Sequence, residues 1–403
     1  MTPLARPSGW LLDPSTIFLN HGSFGSCPQP VMDVQAELRL RIERDPVHFF
    51  NEELDPGLEA ARQAIAALVG ADGEDLVFVR NATSGVAAVL ASLRLQAGDE
   101  LLRTDHGYNA CNNILDRAAE MSGARVVVAR VPFPLRSADE VVQAVLAMTR
   151  ERTRLVLVDH ITSPTGLVLP IAALVSTLQA RGIDVLVDGA HGPGMVPIDL
   201  SALGAAYYTG NLHKWCCSAR GAAFLHVRRD RQAGLHPAVT SHGKNVPRTD
   251  RSRFLLEFDW QGSDDYTAML TVPEALRFMS ALRPGGLPQL MAENHEKALA
   301  ARRLLAANLG VPLPCPDELI GALASLPLPP RSAQDPAPQR PVPAHIDPLQ
   351  AVLYERYRIQ VPVVPWPAPP QRLIRVSAQD YNAASDYETL SRALGALLGL
   401  RRL

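Results

Sequence analysis

The sequence predicts an α/β fold, with a large unit built on a mostly parallel sheet and a smaller α+β unit at the C-terminal end. Three observations predict it. Between residues 76 and 227, short β-rich runs alternate with amphipathic stretches, the pattern of strands joined by helical crossovers in a sheet covered on both faces. Beyond residue 270 the alternation gives way to helical stretches, a proline-dense segment and two late strand-like runs. Between two apolar runs stands "YTGNLHKWCC" (208–217), whose lone lysine has no acidic neighbour in sequence. Loops between sheet strands are where such folds keep their chemistry.

The opening segment, 1–56, contains "FLNHGSFGSCPQP" (18–30), a loop of small residues able to fold over a site. "GLEAARQAIAALVGA" (57–71) has the apolar spacing of a helix and begins the large unit, 57–270. Within that unit "LVFV", "ELLRT", "ARVVVARV", "TRLVLVDH", "IDVLVD" and "GAAFLHV" read as strands, separated by stretches such as "SGVAAVLASLRLQAG" and "ADEVVQAVLAMTRERT". Helical stretches follow around 268–282 and 287–309 and lead into the smaller unit, 271–403. There "LPLPPRSAQDPAPQRPVP" is too rich in proline for regular helix and predicts a loop over about 326–345. "RIQVPVV" and "RLIRVSA" read as strands, and 384–400 as a last helix. The sequence shows no internal repeat.

A chain of 403 residues can bury a large core, and 39 basic against 41 acidic side chains leave no basic field for nucleic acid or an anionic membrane. A small-molecule partner is the default. No apolar run is long enough to span a bilayer and no leader pattern opens the chain, so a cytoplasmic location is expected. Five cysteines, two of them adjacent and none in metal-ligand spacing, point to a reducing compartment without disulfides or a zinc site. No G-x-G-x-x-G opens the first crossover, which sets a nicotinamide dehydrogenase aside.

Asp188 closes the strand in "VLVDGAHG", with His191 three residues on; an aspartate there is a turn former or cap as readily as a catalyst. Thr83 and Ser84 open the helix in "VRNATSGVAAVL", either as an ordinary cap or as an anion site, since free N–H groups and the helix dipole favour phosphate. Together an anion site, a strand-end carboxylate and the loop lysine Lys214 are the parts that hold pyridoxal 5′-phosphate. The lysine bonds the aldehyde and the carboxylate pairs with the pyridine nitrogen. A lysine with that task must lose its proton near neutral pH, which desolvation encourages.

The ordered motifs Asn81-Ala82-Thr83, "DHGYNACNN" (105–113), "DHITSPTGLVLPI" (159–171), "VDGAHGPG", "GNLHKW", "WQGSDDYTA" (260–268) and "IRVSAQDYN" (374–382) run over nearly the whole chain. Their order resembles the class V aminotransferases, fold-type I pyridoxal phosphate enzymes, and most of all the isopenicillin N epimerase branch, whose N-terminal signature resembles "FLNHGSFG". The resemblance implies a seven-stranded sheet in the large unit. It makes Lys214 the lysine that carries the cofactor, Asp188 the partner of the pyridine nitrogen and His191 a neighbour of the ring hydroxyl. It assigns Thr83, Ser84 and His213 to the phosphate. Tyr108 would stack on the ring, unless it is a core tyrosine near a helix start, with His106 as its substitute. Ser263 would reach the phosphate of a second subunit, which implies a homodimer with shared sites, although Asp264-Asp265 stands where an Arg-Asp pair is common. Arg375 would grip the α-carboxylate of an L-amino acid substrate, the other reading being a structural ion pair. Asn20 and His21 would line the substrate side.

The resemblance leaves the reaction open. Epimerisation at the α-carbon comes first, with Lys214 taking the proton and His106, Tyr108 or the "NHGS" loop supplying one on the opposite face. The alternative is a carbon–sulfur β-lyase of the cysteine desulfhydrase or hercynylcysteine sulfoxide lyase type; an aminotransferase or a non-catalytic cofactor-binding protein comes after these. A cysteine desulfurase would need a nucleophilic cysteine on the loop before Arg375, and "YRIQVPVVPWPAPPQRLIR" has none.

Overall fold

The structure, a computed structural model, describes residues 9–399; residues 1–8 of the opening segment and 400–403 at the end of the chain lie outside it. Strand β1 (Ile17–Phe18) precedes the main sheet. That sheet comprises β2 (Leu76–Val79), β3 (Glu100–Thr104), β4 (Arg125–Ala129), β5 (Thr153–Asp159), β6 (Asp184–Asp188), β7 (Tyr207–Asn211) and β8 (Ala223–Val227). Its order is β2-β8-β7-β6-β5-β3-β4, and β8 alone runs antiparallel to its neighbours. The carboxyl ends of β2, β3, β5, β6 and β7 therefore share one edge of the sheet.

The strands read as continuous apolar runs because both faces are covered. Their side chains alternate: Val156, Val158, Val185 and Val187 join one core, whereas Leu155, Leu157 and Leu186 join the core on the other side. Crossover helices Ala82–Ser92, Asn109–Ser122, Ala138–Met148 and Ile171–Gln179 supply the layers.

Two strands depart from the sequence expectation. β7 contains Thr209-Gly210-Asn211, turn-forming residues by composition, yet it lies between β6 and β8 in the middle of the sheet. Gly210 is there for closeness, since a Cβ would stand 2.7 Å from both the Phe224 ring and Pro193. Strand β9 (Leu323–Leu328) takes the first residues of the expected proline-rich loop, so that loop begins after Leu328. Pro327 is tolerated because β9 is an edge strand, with one side free of ladder bonds.

Strands β10 (Ile359–Gln360), β11 (Val363–Pro365) and β12 (Arg372–Ser377) complete the chain's sheets. β9, β11 and β12 form an antiparallel sheet of order β11-β12-β9. β10 pairs in parallel with β1, so the opening segment adds its first strand to the late part of the chain. Ile17 and Leu19 are buried in one cluster with Leu326, Val361, Ile374 and Leu390. The proline-rich segment is tied down by buried Arg372, which pairs with Asp335 at 2.7 Å and Asp347 at 3.1 Å. The last helix ends at Leu398, capped by left-handed Gly399.

Replacing Gly210 by alanine is expected to lower stability by about 1–3 kcal/mol through overpacking against Phe224 and Pro193. Urea unfolding measures it; an unchanged midpoint would show that the sheet yields there without cost.

Candidate active site

The shared strand edge opens on a cavity of about 200 Å³. Each strand end contributes to its wall: Asn81 and Thr83 follow β2, Tyr108 follows β3, and Asp159 with Ser163 comes from the end of β5. Asp188 and His191 come from β6, and Asn211, His213 and Lys214 from β7. Ser23 of the opening segment closes the set.

Asp159 and Asp188 are in register as the last residues of adjacent parallel strands, and both are buried. Asp188 accepts the Ala190 N–H at 3.0 Å on one oxygen and the Cys111 thiol at 3.1 Å on the other. Burial first, and then the neighbouring Asp188 charge, push the Asp159 carboxyl well above the usual carboxylate range. Lys214 and the backbone N–H groups of Tyr108 and Ser163 act against that rise.

Lys214 sits in the turn that leaves β7, its amine 3.0 Å from His191 Nε2. Burial lowers it from 10.5 to about 8, helped by the Arg375 charge and opposed by Asp188 and Asp159. His191 in turn accepts the Trp215 indole N–H on Nδ1 at 3.2 Å. Burial, with the Lys214 and Arg375 charges, holds this imidazole well below its ordinary range, so it is neutral.

The helix Ala82–Ser92 is pressed onto β7 at Gly85, where a Cβ would lie 2.4 Å from Thr209 Oγ1. This brings the Ala82 N–H to Asn211 Oδ1 at 2.8 Å and leaves Thr83 on the cavity wall. Asn81 is the helix cap, accepting the Ser84 N–H at 2.9 Å. His213 donates from Nδ1 to the Ala222 carbonyl at 3.0 Å, and burial lowers it to about 4.

Arg375 stands in β12, buried, and donates to Ser163 through its carbonyl and its hydroxyl and to Ser23 Oγ at 2.9 Å. Its Nε has no partner, and no carboxylate of the described residues acts on its charge. Burial lowers it to about 10. A structural ion pair is therefore not what occupies it.

Several expected site residues lie off the wall, Arg375 among them, which meets it through Ser23 and Ser163. His106 is fully buried, its nitrogens engaged by Thr165 Oγ1 at 2.8 Å and the Val131 carbonyl at 3.1 Å, whereas Tyr108 two residues on is 45 % exposed and faces the cavity. His21 is likewise sealed, bonding the Lys214 carbonyl at 3.0 Å and the Tyr381 hydroxyl at 2.7 Å; it supports the lysine's backbone from behind. Asn20 is absent from the wall and its Oδ1 is buried without a partner. Ser84 is also off the wall, its hydroxyl 3.1 Å from the capping Asn81 oxygen. Ser263 is exposed and outside this chain's cavity; its neighbours Asp264 and Asp265 pair with Arg80 and Arg39.

Sequence reasoning missed Asp159, Ser23, Ser163 and Asn211. Asp159 had a signal: "VLVDH" and "VLVDG" end two strands in the same way, and parallel neighbours bring such ends together. The serines had none, because they act through Arg375 from distant segments.

The donor set fits pyridoxal 5′-phosphate: a helix N-terminus with Thr83 suits the phosphate, Asp188 the pyridine nitrogen, and a lysine with a lowered pKa the aldehyde. Fold and site thus define a fold-type I pyridoxal phosphate enzyme. The chain belongs to the class V aminotransferase family, whose model matches residues 19–316. It is 36% identical to the isopenicillin N epimerase of Amycolatopsis lactamdurans, over 96% of each chain. It is 32% identical to a probable chloroplastic L-cysteine desulfhydrase of Arabidopsis thaliana, over 96% of this chain and 84% of that one. Among solved structures it superposes on the cystine C–S lyase C-DES with a TM-score of 0.78, at 20% identity, covering 95% of this chain and 98% of the other.

Acylation of Lys214 in the cofactor-free protein is expected to rise through a midpoint near pH 8, because burial favours the uncharged amine. Mass spectrometry of the labelled peptide across a pH series measures this. A midpoint near 10.5 would mean that the amine is solvated.

Proposed function

We propose that the protein is a pyridoxal phosphate-dependent, cytoplasmic homodimer that removes the α-proton of an L-amino acid, with isopenicillin N epimerase-like inversion as its reaction. The observation that carries this reading is Arg375: a buried guanidinium without a carboxylate partner, close enough to Lys214 for its charge to be felt there. An α-carboxylate would fill that place through two parallel hydrogen bonds, with Ser23 and Ser163 holding the fork in position. When bound, the cofactor supplies the electron sink, and Asp188 would keep its ring nitrogen protonated. Lys214, its pKa lowered to about 8 by burial, is the base that takes the proton from the α-carbon. Tyr108 and Ser23 of the "NHGS" loop, both on the wall, are the candidates for returning one on the opposite face, and Ser263 would serve the partner's phosphate.

A second reading, a carbon–sulfur β-lyase, is favoured by the withdrawal of His106, His21 and Asn20 from the cavity. Inversion then depends on Tyr108 or Ser23, whereas elimination asks only for the lysine base and a leaving group at Cβ. A desulfurase that takes the sulfur onto its own cysteine has no support here: all five cysteines are buried, and the segment between β11 and β12 has none.

In deuterated water the enzyme is expected to exchange the α-hydrogen of its substrate, with inversion, and to release pyruvate and ammonia only from substrates with a Cβ leaving group. Chiral chromatography and NMR follow both. Amino transfer to an added keto acid, with neither inversion nor elimination, would sink the proposal.

Arg375→Lys is expected to raise KM roughly ten- to a hundredfold while kcat falls less, since an ammonium cannot reproduce the fork. Steady-state kinetics separate the two constants, and an unchanged KM would remove the carboxylate role.

A further inference from the structure

We propose that Trp215 is a positioning residue: its indole locks His191 in the tautomer with the proton on Nε2 and so denies Lys214 the acceptor that would hold it as an ammonium. The inference rests on the reading of Lys214 as the cofactor lysine.

The argument is one of counting lone pairs. A neutral imidazole has one N–H and one bare nitrogen, and an indole N–H can only donate. Trp215 Nε1 lies 3.2 Å from His191 Nδ1, which must therefore be the bare nitrogen. The single ring proton is then on Nε2, 3.0 Å from Lys214 Nζ. An ammonium there would point a second donor at a ring whose lone pair is taken, against the ring's own Nε2 proton. A free amine has a lone pair to receive the Nε2 proton, so the contact is satisfied only when Lys214 is uncharged.

The ring has no ready escape. Protonating it would remove its acceptor altogether, and the charged or titratable groups that act on it, Lys214, Arg375 and His21, all disfavour that change. Nor can the indole easily turn away. Trp215 is fully buried in a cluster with Ile161, Met195, Ala322 and Leu323, and the His21 ring packs against it at a centroid distance of 4.8 Å. Lys214 also feels Asp188, Asp159 and Cys111, which favour its charge, so the Trp215–His191 pair works against the carboxylates.

The test is nitrogen NMR of the full chain labelled with ring-15N histidine, without cofactor, with His191 assigned by the signal lost in His191→Gln. At pH 7 the expected signature is a bare Nδ1 and a protonated Nε2, unchanged down to pH 5. A proton on Nδ1, or an imidazolium, would overturn the proposal whatever the variants do. In Trp215→Phe the freed ring can accept from an ammonium, so the midpoint for Lys214 acylation should move up by about one pH unit. A midpoint that stays in place in a folded Trp215→Phe protein also overturns it. The expected tautomer in a protein that never exchanges an α-hydrogen would count against the role of Lys214 alone.

Discussion

Register among three parallel strands is the constraint on which the site depends. Asp159 faces Asp188, and Asp188 faces Thr209, so β5, β6 and β7 finish side by side and deliver two carboxylates and the lysine turn to one dry edge. A slip of one residue in β6 would turn Asp188 to the other face of the sheet and put Val187 in its place. The apolar runs on both faces prevent that slip. Core packing thus sets the distance between the charged groups, and the crowding of those groups sets their protonation. With two carboxylates in one poorly solvated corner, burial and the Asp188 charge push the Asp159 carboxyl well above the usual carboxylate range.

Much of this was legible in the sequence, and what was not has identifiable causes. The apolar strands and their crossovers showed through periodicity, as did Lys214, Asp188 and Thr83, which lie at strand or helix ends where local pattern and position coincide. β7 was hidden because Thr209, Gly210 and Asn211 are turn formers, and only the closeness of Phe224 and Pro193 explains the glycine. β9 was hidden by Pro327, whose missing donor matters little at a sheet edge. His106 and His21 were placed in the site because they neighbour residues that are there. Which way each side chain turns was decided by Thr165, Val131 and Tyr381, partners far away in sequence.

Arg375 shows how a site stores unfavourable electrostatics. Its burial without a carboxylate leaves charge in low dielectric, compensated by neutral acceptors on Ser23 and Ser163 and by the nearby Tyr108. Lys214 meets the same problem differently, its hold on the proton weakened to a pKa of about 8, and a guanidinium gives up its proton far less readily. Two basic side chains, Lys214 on the cavity wall and Arg375 just behind Ser23 and Ser163, therefore answer burial in two ways.

The pairing of β1 with β10 has a mechanical consequence. The short opening strand is hydrogen-bonded to the late part of the chain, and five residues after it Ser23 touches Arg375, while Ser163 lies in the turn that follows β5 of the main sheet. Three segments remote in sequence thus converge on one guanidinium. The opening segment is anchored like a lever whose fulcrum is the β1–β10 ladder, with its tip at the cavity. The tip is held from the other side as well, since His21 bonds the Lys214 carbonyl, so Ser23 stands where the late part of the chain and the lysine turn both pull on the opening segment.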